Sequence, residues 1–181
     1  VRSSVTFTLS DNVENMALIG LNKIDGTGNA LANALFGNTL DNKLQGLGGK
    51  DRLNGDAGND TLSGGADADI LVGGAGKDAF LFDTAPIKGQ QDRIMDFTLG
   101  EDKIQLSRSA FSAFAGHASS QLTAADISFG TKATTETQHL IYNAAKGALY
   151  YDDDGSGSHA AILIGLLVGS PNLAASDFAL V

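Results

Sequence analysis

Residues Gly28 to Leu81 read GNALANALF GNTLDNKLQ GLGGKDRLN GDAGNDTLS GGADADILV GGAGKDAFL, six nonapeptides in tandem with no insertion between them. The first position is Gly28, Gly37, Gly46, Gly55, Gly64 and Gly73. The eighth is always a large apolar residue: Leu35, Leu44, Leu53, Leu62, Leu71 and Phe80. The sixth is Asn33 and Asn42, then Asp51, Asp60, Asp69 and Asp78. A fixed short period of this kind marks a repeat architecture. Each unit divides into a turn half rich in Gly, Asn and Asp, which accept positive φ cheaply, and a very short strand with one obligatory apolar position. An apolar residue every nine positions cannot line a helix face. It can line the inside of a flattened coil in which two nonapeptides make one turn and successive turns stack at strand spacing, roughly 4.8 Å.

Stacking places residues eighteen apart one above another. Asp51 then lies beside Asp69, and Asp60 beside Asp78. Two carboxylates about 4 Å apart repel by roughly 4 kcal/mol at an effective dielectric of about 20. A bridging cation relieves that strain, and an all-oxygen, flexible cage of carboxylates and turn carbonyls suits calcium better than zinc or copper.

GDAGNDTLS and GGAGKDAFL closely resemble the G-G-x-G-x-D-x-U-x calcium-binding repeat of the RTX family. The resemblance implies an all-β fold, a right-handed parallel β-roll with β-rich capping regions and short helices. It also implies calcium held by sixth-position Asp residues of adjacent turns and by turn carbonyls. Carried onto this chain, the ligands are Asp51 with Asp69, Asp60 with Asp78, and the turn residues Gly49, Gly58, Gly65, Gly74 and Gly76, with Asn42 at the weaker, Asn-containing edge. Asp67 stands where the repeat has Gly, as a further ligand or a water-facing residue. Leu31 and Leu40 also replace that Gly in the first two units. After the repeats, DRIMDF (residues 92–97) resembles the segment that closes the last sites in serralysin-type secreted proteins. Asp96 is eighteen beyond Asp78, but a loop intervenes, so Asp92 is an equal candidate. Asp102 reads as a turn residue.

Three regions follow: lead-in turns over 1–27, the roll and its closing segment over 28–106, and a C-terminal cap over 107–181. Within the cap, SRSAFSAFA and TAADI read as short helical pieces. The stretches around 139–143, 147–152 and 160–166 read as antiparallel strands. The loop after Tyr151 carries Asp152, Asp154 and Ser156 in the pattern of the first half of an EF-hand. Leu163 stands where the bidentate Glu would fall. The loop is a candidate metal site, or a hairpin whose Asp and Gly serve turn geometry.

The formal net charge of −9 argues against a nucleic-acid partner and fits a chain that gathers divalent cations. Without cysteine it has neither disulfides nor thiolate metal sites. The three histidines are scattered and read as surface residues. The longest apolar run, 160–168, is far shorter than a membrane span. There is no HExxH, nucleophile elbow or phosphate loop, so the segment reads as non-enzymatic. The ending SPNLAASDFALV resembles those of proteins exported by the bacterial type I machinery. The expected partners are calcium ions, that secretion apparatus and an upstream catalytic or adhesive domain, and the expected location is extracellular. An alternative is an adhesion or polysaccharide-binding module.

Overall fold

A computed structural model describes residues 1–181. Seventeen strands, most of two to five residues, follow one another along the chain: β1 (Arg2–Ser3), β2 (Phe7–Thr8), β3 (Asn15–Leu18), β4 (Gly26–Thr27), β5 (Ala34–Phe36), β6 (Lys43–Leu47), β7 (Arg52–Asn54), β8 (Thr61–Gly65), β9 (Ile70–Val72), β10 (Ala79–Phe82), β11 (Asp92–Ile94), β12 (Lys103–Leu106), β13 (Ile127–Phe129), β14 (Leu140–Asn143), β15 (Ala148–Tyr151), β16 (Ile162–Leu167) and β17 (Phe178–Leu180). Up to β12 they alternate between two sheets. One sheet runs β1-β3-β5-β7-β9-β11-β16-β15-β14-β13, the other β17-β12-β10-β8-β6-β4-β2.

Within the repeats the register is the expected eighteen. Ala34 lies opposite Arg52, and Arg52 opposite Ile70 on one sheet; Lys43 pairs Thr61 and Thr61 pairs Ala79 on the other, all parallel. The turns stack as well, Ala57 bridging Ala75. The eighth-position side chains point inward between the sheets: Leu35, Leu44, Leu53, Leu62, Leu71 and Phe80 are all buried. Ile94 and Ile104 continue the stripe past the repeats. Each such side chain taken from water stabilises the roll by about 1.5–3 kcal/mol. From β5 to β9 that core is narrow, one large apolar side chain per strand, so it depends on every turn being present.

The roll extends beyond the repeats in both directions. In the lead-in segment, β3 pairs β5 and β2 pairs β4 at offsets of nineteen residues, and β1 pairs β3 at fifteen. After the repeats, the loop through Pro86 stretches the offset between β9 and β11 to twenty-three. Between β10 and β12 it is twenty-four.

The cap adds to the growing end of both sheets. β16 runs parallel to β11 and is followed by the antiparallel pairs β16–β15 and β15–β14, as the sequence suggests. The C-terminal β17 runs parallel to β12 in the other sheet. The expected helical pieces are much shorter than the sequence suggests. Ser112–Phe114 and Ala175–Asp177 are single 3-10 turns. TAADI forms no helix; it is a turn in which Asp126 accepts from the Thr123 amide and hydroxyl. Burial of Phe111 and Phe114 around Tyr151 holds this region, with no need of a longer helix.

Candidate metal centre

The sixth-position side chains form two ladders, one along each edge of the roll. On the first, the Asn33 amide donates to Asp51 Oδ1 (2.7 Å), Asp51 to Asp69 Oδ1 (2.7 Å) and Asp69 to Asp92 Oδ1 (3.0 Å). On the second, Asn42 donates to Asp60 Oδ1 (2.7 Å), Asp60 to Asp78 Oδ1 (2.9 Å) and Asp78 to Asp102 Oδ1 (2.9 Å). Each carboxylate therefore joins its own turn to the preceding turn on the same edge.

The other oxygens are orphaned. Oδ2 of Asp51, Asp60, Asp69 and Asp78 is buried without any hydrogen-bond partner. Native proteins rarely leave buried acceptors unpaired, because the desolvation cost is not returned. Burial accordingly pushes the carboxyls of Asp51 and Asp60 up to about 7 and that of Asp78 up to about 6. Asp69 and Asp92 are raised too, by burial first; the neighbouring Asp69 carboxylate pushes Asp92 further. The first-position glycines face these same oxygens. A Cβ on Gly46, Gly55, Gly64 or Gly73 would collide with the Oδ2 of Asp51, Asp60, Asp69 or Asp78. The invariant Gly keeps space around the orphaned oxygen.

Such buried, unpaired, purely oxygen donors at the rim of a turn fit a hard cation of flexible coordination, hence calcium. The turn residues Gly49, Gly58, Gly65, Gly74 and Gly76 all have positive φ, from +94° to +141°. This is the conformation that lets the loop curl around the carboxylates.

Several of the sequence-predicted residues hold different places. Asp96 does not stack on Asp78. The inserted residues shift it, and it accepts instead from the Gly73 and Gly74 amides at 2.9 Å each. Asp102, read as a turn residue, is buried and completes the second ladder, with its Oδ2 held by the Thr98 amide at 2.7 Å. The signal that finds it is local. Asp followed two residues later by a large apolar residue recurs as Asp51–Leu53, Asp60–Leu62, Asp69–Leu71, Asp78–Phe80, Asp92–Ile94 and Asp102–Ile104. Asn42 is fully engaged without an ion. Its Oδ1 accepts from the Asn38 amide, and its Nδ2 donates to the Ile24 carbonyl (2.6 Å) and Asn38 Oδ1 (3.1 Å). Asn33 and Asn29 repeat the arrangement on the other edge. In these two turns amide hydrogens occupy the role of a positive charge. Asp67 neither hangs free nor joins a ladder: it accepts from the Gly49 amide (3.3 Å) and from Gln90 Nε2 (3.0 Å).

In the hairpin loop, Asp152 is buried and Asp154 half-buried, each with an unpartnered Oδ1. Ser156 is exposed; its amide, rather than its hydroxyl, is bound, to the Thr135 carbonyl at 3.1 Å. The histidines are less superficial than their scatter suggests. His117 pairs with Asp126 (3.1 Å) and His139 packs edge-on against Phe114; both are half-buried, and His159 alone is exposed.

The family model for the RTX calcium-binding nonapeptide repeat, in four copies, matches residues 27–62 and again 45–80. The chain carries RTX repeats. Among solved structures, this chain resembles the AlgE6R3 subunit of the Azotobacter vinelandii mannuronan C5-epimerase. The identity is 28%, the TM-score 0.52, and the match covers 82% of this chain and 78% of the other. It also resembles the AlgE6R2 subunit of the same enzyme at 23% identity and TM-score 0.48, over 87% and 91% of the two chains. No curated protein matches the chain significantly. The RTX repeats bring calcium binding with them, and the match falls on the turns whose Oδ2 atoms are orphaned. No helix is long and apolar enough to cross a membrane.

Proposed function

We propose that this chain is a calcium-folded module of a secreted protein, ordering outside the cell and supporting one-step, type I export and the folding of a domain upstream. The observation that carries this reading is the set of four buried, unpaired carboxylate oxygens of Asp51, Asp60, Asp69 and Asp78. A bound calcium ion supplies the positive charge and coordination that these oxygens lack. The chain's own residues do the rest. The Oδ1 atoms pull successive turns together, the first-position glycines keep the rim open, and the apolar stripe closes behind them. The ligands are Asp51, Asp60, Asp69 and Asp78, with Asp92 at the closing end of the first ladder and carbonyls of the positive-φ turns. Asp102 ends the second ladder with both oxygens already hydrogen-bonded. Where calcium is scarce, the buried charges and the ordering entropy of a glycine-rich chain oppose folding; where calcium is plentiful, binding free energy becomes folding free energy. The module itself reads as non-catalytic.

Circular dichroism in chelator, followed by calcium titration against a magnesium control, tests the reading. A coil-to-β transition specific to calcium is expected. Full β structure in chelator would overturn the folding switch.

A second reading, a polysaccharide-associated module, is favoured by the likeness to a subunit of a mannuronan C5-epimerase. Retention of the calcium-loaded chain on a uronate polymer, against a neutral-glycan control, separates the two.

A further inference from the structure

The cap contains acidic chemistry that the repeats do not account for. Between β15 and β16 the chain reads Asp152, Asp153, Asp154, Gly155, Ser156, Gly157, Ser158, His159. Asp152 is 7% exposed, and its Oδ1 has no hydrogen-bond partner; neither has the buried Oδ1 of Asp154. The other partners of Asp154 are already assigned, for its Oδ2 accepts from the His159 amide at 3.0 Å. No lysine or arginine pairs with either residue, although Lys132 lines a cavity together with Asp152. The His159 ring meets the exposed Asp153 at 2.9 Å and lies 3.7 Å from Asp154 Oδ2, leaving both Oδ1 atoms unpaired.

The surroundings are braced. The Asp152 amide donates to the His139 carbonyl (2.9 Å), and the His139 ring meets the Asp152 carbonyl (2.9 Å). Gly155, at φ +65°, presses against the carbonyls of Thr135 and Glu136, closer than any Cβ would permit. The loop is thus folded over a neighbouring loop; it carries two buried, unpaired carboxylate oxygens two positions apart, and Asp152 lines a cavity together with Gly155, Ser156 and Gly157. The two oxygens are donors for a hard cation, offering neither sulfur nor a free imidazole.

We propose that this hairpin loop holds a second kind of calcium site, built on Oδ1 of Asp152 and Oδ1 of Asp154 and independent of the nonapeptide ladders. Occupation fixes the β15–β16 hairpin. Because β16 pairs with β11, whose first residue is Asp92, the site braces the surface on which the last turn of the roll is laid.

The chain offers its own reporter. Its three tyrosines are Tyr142, Tyr150 and Tyr151, and the last directly precedes Asp152. Terbium, which takes calcium sites, becomes luminescent when a nearby tyrosine is excited. The intact chain is titrated with terbium and with calcium, alongside Asp152→Asn/Asp154→Asn and, as a control in the roll, Asp60→Asn. The hairpin variant is expected to bind one ion fewer and to lose tyrosine-sensitised emission, while Asp60→Asn keeps that emission. Unchanged stoichiometry and emission in the hairpin variant would overturn the site, leaving the two carboxylates to share a proton. Should the variant fail to fold, terbium-soaked crystals of the unaltered chain decide. An anomalous peak between Asp152 and Asp154 supports the site, and its absence at full occupancy of the roll refutes it.

Discussion

At the residue scale, the ladder divides each aspartate into two functions. Oδ1 ties turns together through a hydrogen bond, and Oδ2 waits buried for a charge. Asp60→Asn should separate them. Without calcium, at pH 8, the variant should be more stable than the parent, because a neutral amide replaces a carboxylate that burial disfavours. With calcium, affinity should fall by about tenfold or more, equivalent to 1.4 kcal/mol. Osmolyte-driven folding in chelator and thermal melts in calcium read both signs. The same groups set the pH dependence. Their folded-state pKa is raised above the unfolded value, so the metal-free fold is favoured at low pH and loses stability as pH rises from about 4 to about 7. Calcium affinity should rise over the same window as protons leave. Osmolyte-driven folding in chelator from pH 4 to 8 checks the first trend; a stability that grows with pH would contradict it. Gly58→Ala should cost about 1–3 kcal/mol in calcium-loaded stability, since φ is +116° and the new Cβ meets the Leu40 backbone. Denaturant titration measures it. Much of this was legible in the sequence: the pairs Asp51–Asp69 and Asp60–Asp78 follow from the period alone. Asp102 was not, because counting in nines fails once residues are inserted, whereas the Asp-x-apolar triplet survives the insertion. Nor was the metal-free Asn arrangement, which depends on where Nδ2 of Asn29, Asn33, Asn38 and Asn42 points.

At the element scale, the short strands have little independence. A strand such as Arg52–Asn54 buries one leucine and takes its hydrogen bonds from both neighbours. Stability therefore resides in stacking, as in other repeat proteins. The cap has more conventional strands, and its antiparallel order could be read from the runs around 140, 149 and 164. Its helical signals were misleading: Phe111 and Phe114 share a face because of tertiary burial, and a single 3-10 turn suffices to place them. The C-terminal element carries particular weight. Phe178 is fully buried, and β17 covers the otherwise free edge of β12. Phe178→Ala should destabilise the calcium-loaded chain by about 3–5 kcal/mol. Chemical denaturation in saturating calcium tests this, and a loss below 1 kcal/mol would mean that the tail is an accessory to the sheet.

At the scale of the whole molecule, one narrow core runs from Leu9 to Leu180 through both lead-in and cap, so calcium titration should give one cooperative transition. Near- and far-ultraviolet circular dichroism should coincide; separate midpoints would indicate that the cap folds apart from the roll. The alternation of strands between two sheets has a further consequence, which is one of parity. Each nonapeptide sends the chain to the opposite sheet, so an even number of units returns it to the side from which it left. Removing residues 46–63, two units, leaves β9 through β17 facing as before, with a shorter roll and fewer ions. Removing residues 55–63 alone delivers every later strand to the wrong sheet and presents the cap with a mirrored pair of edges. The first deletion should fold in calcium and the second should not. By this rule the nonapeptide block can lengthen or shorten only in steps of eighteen.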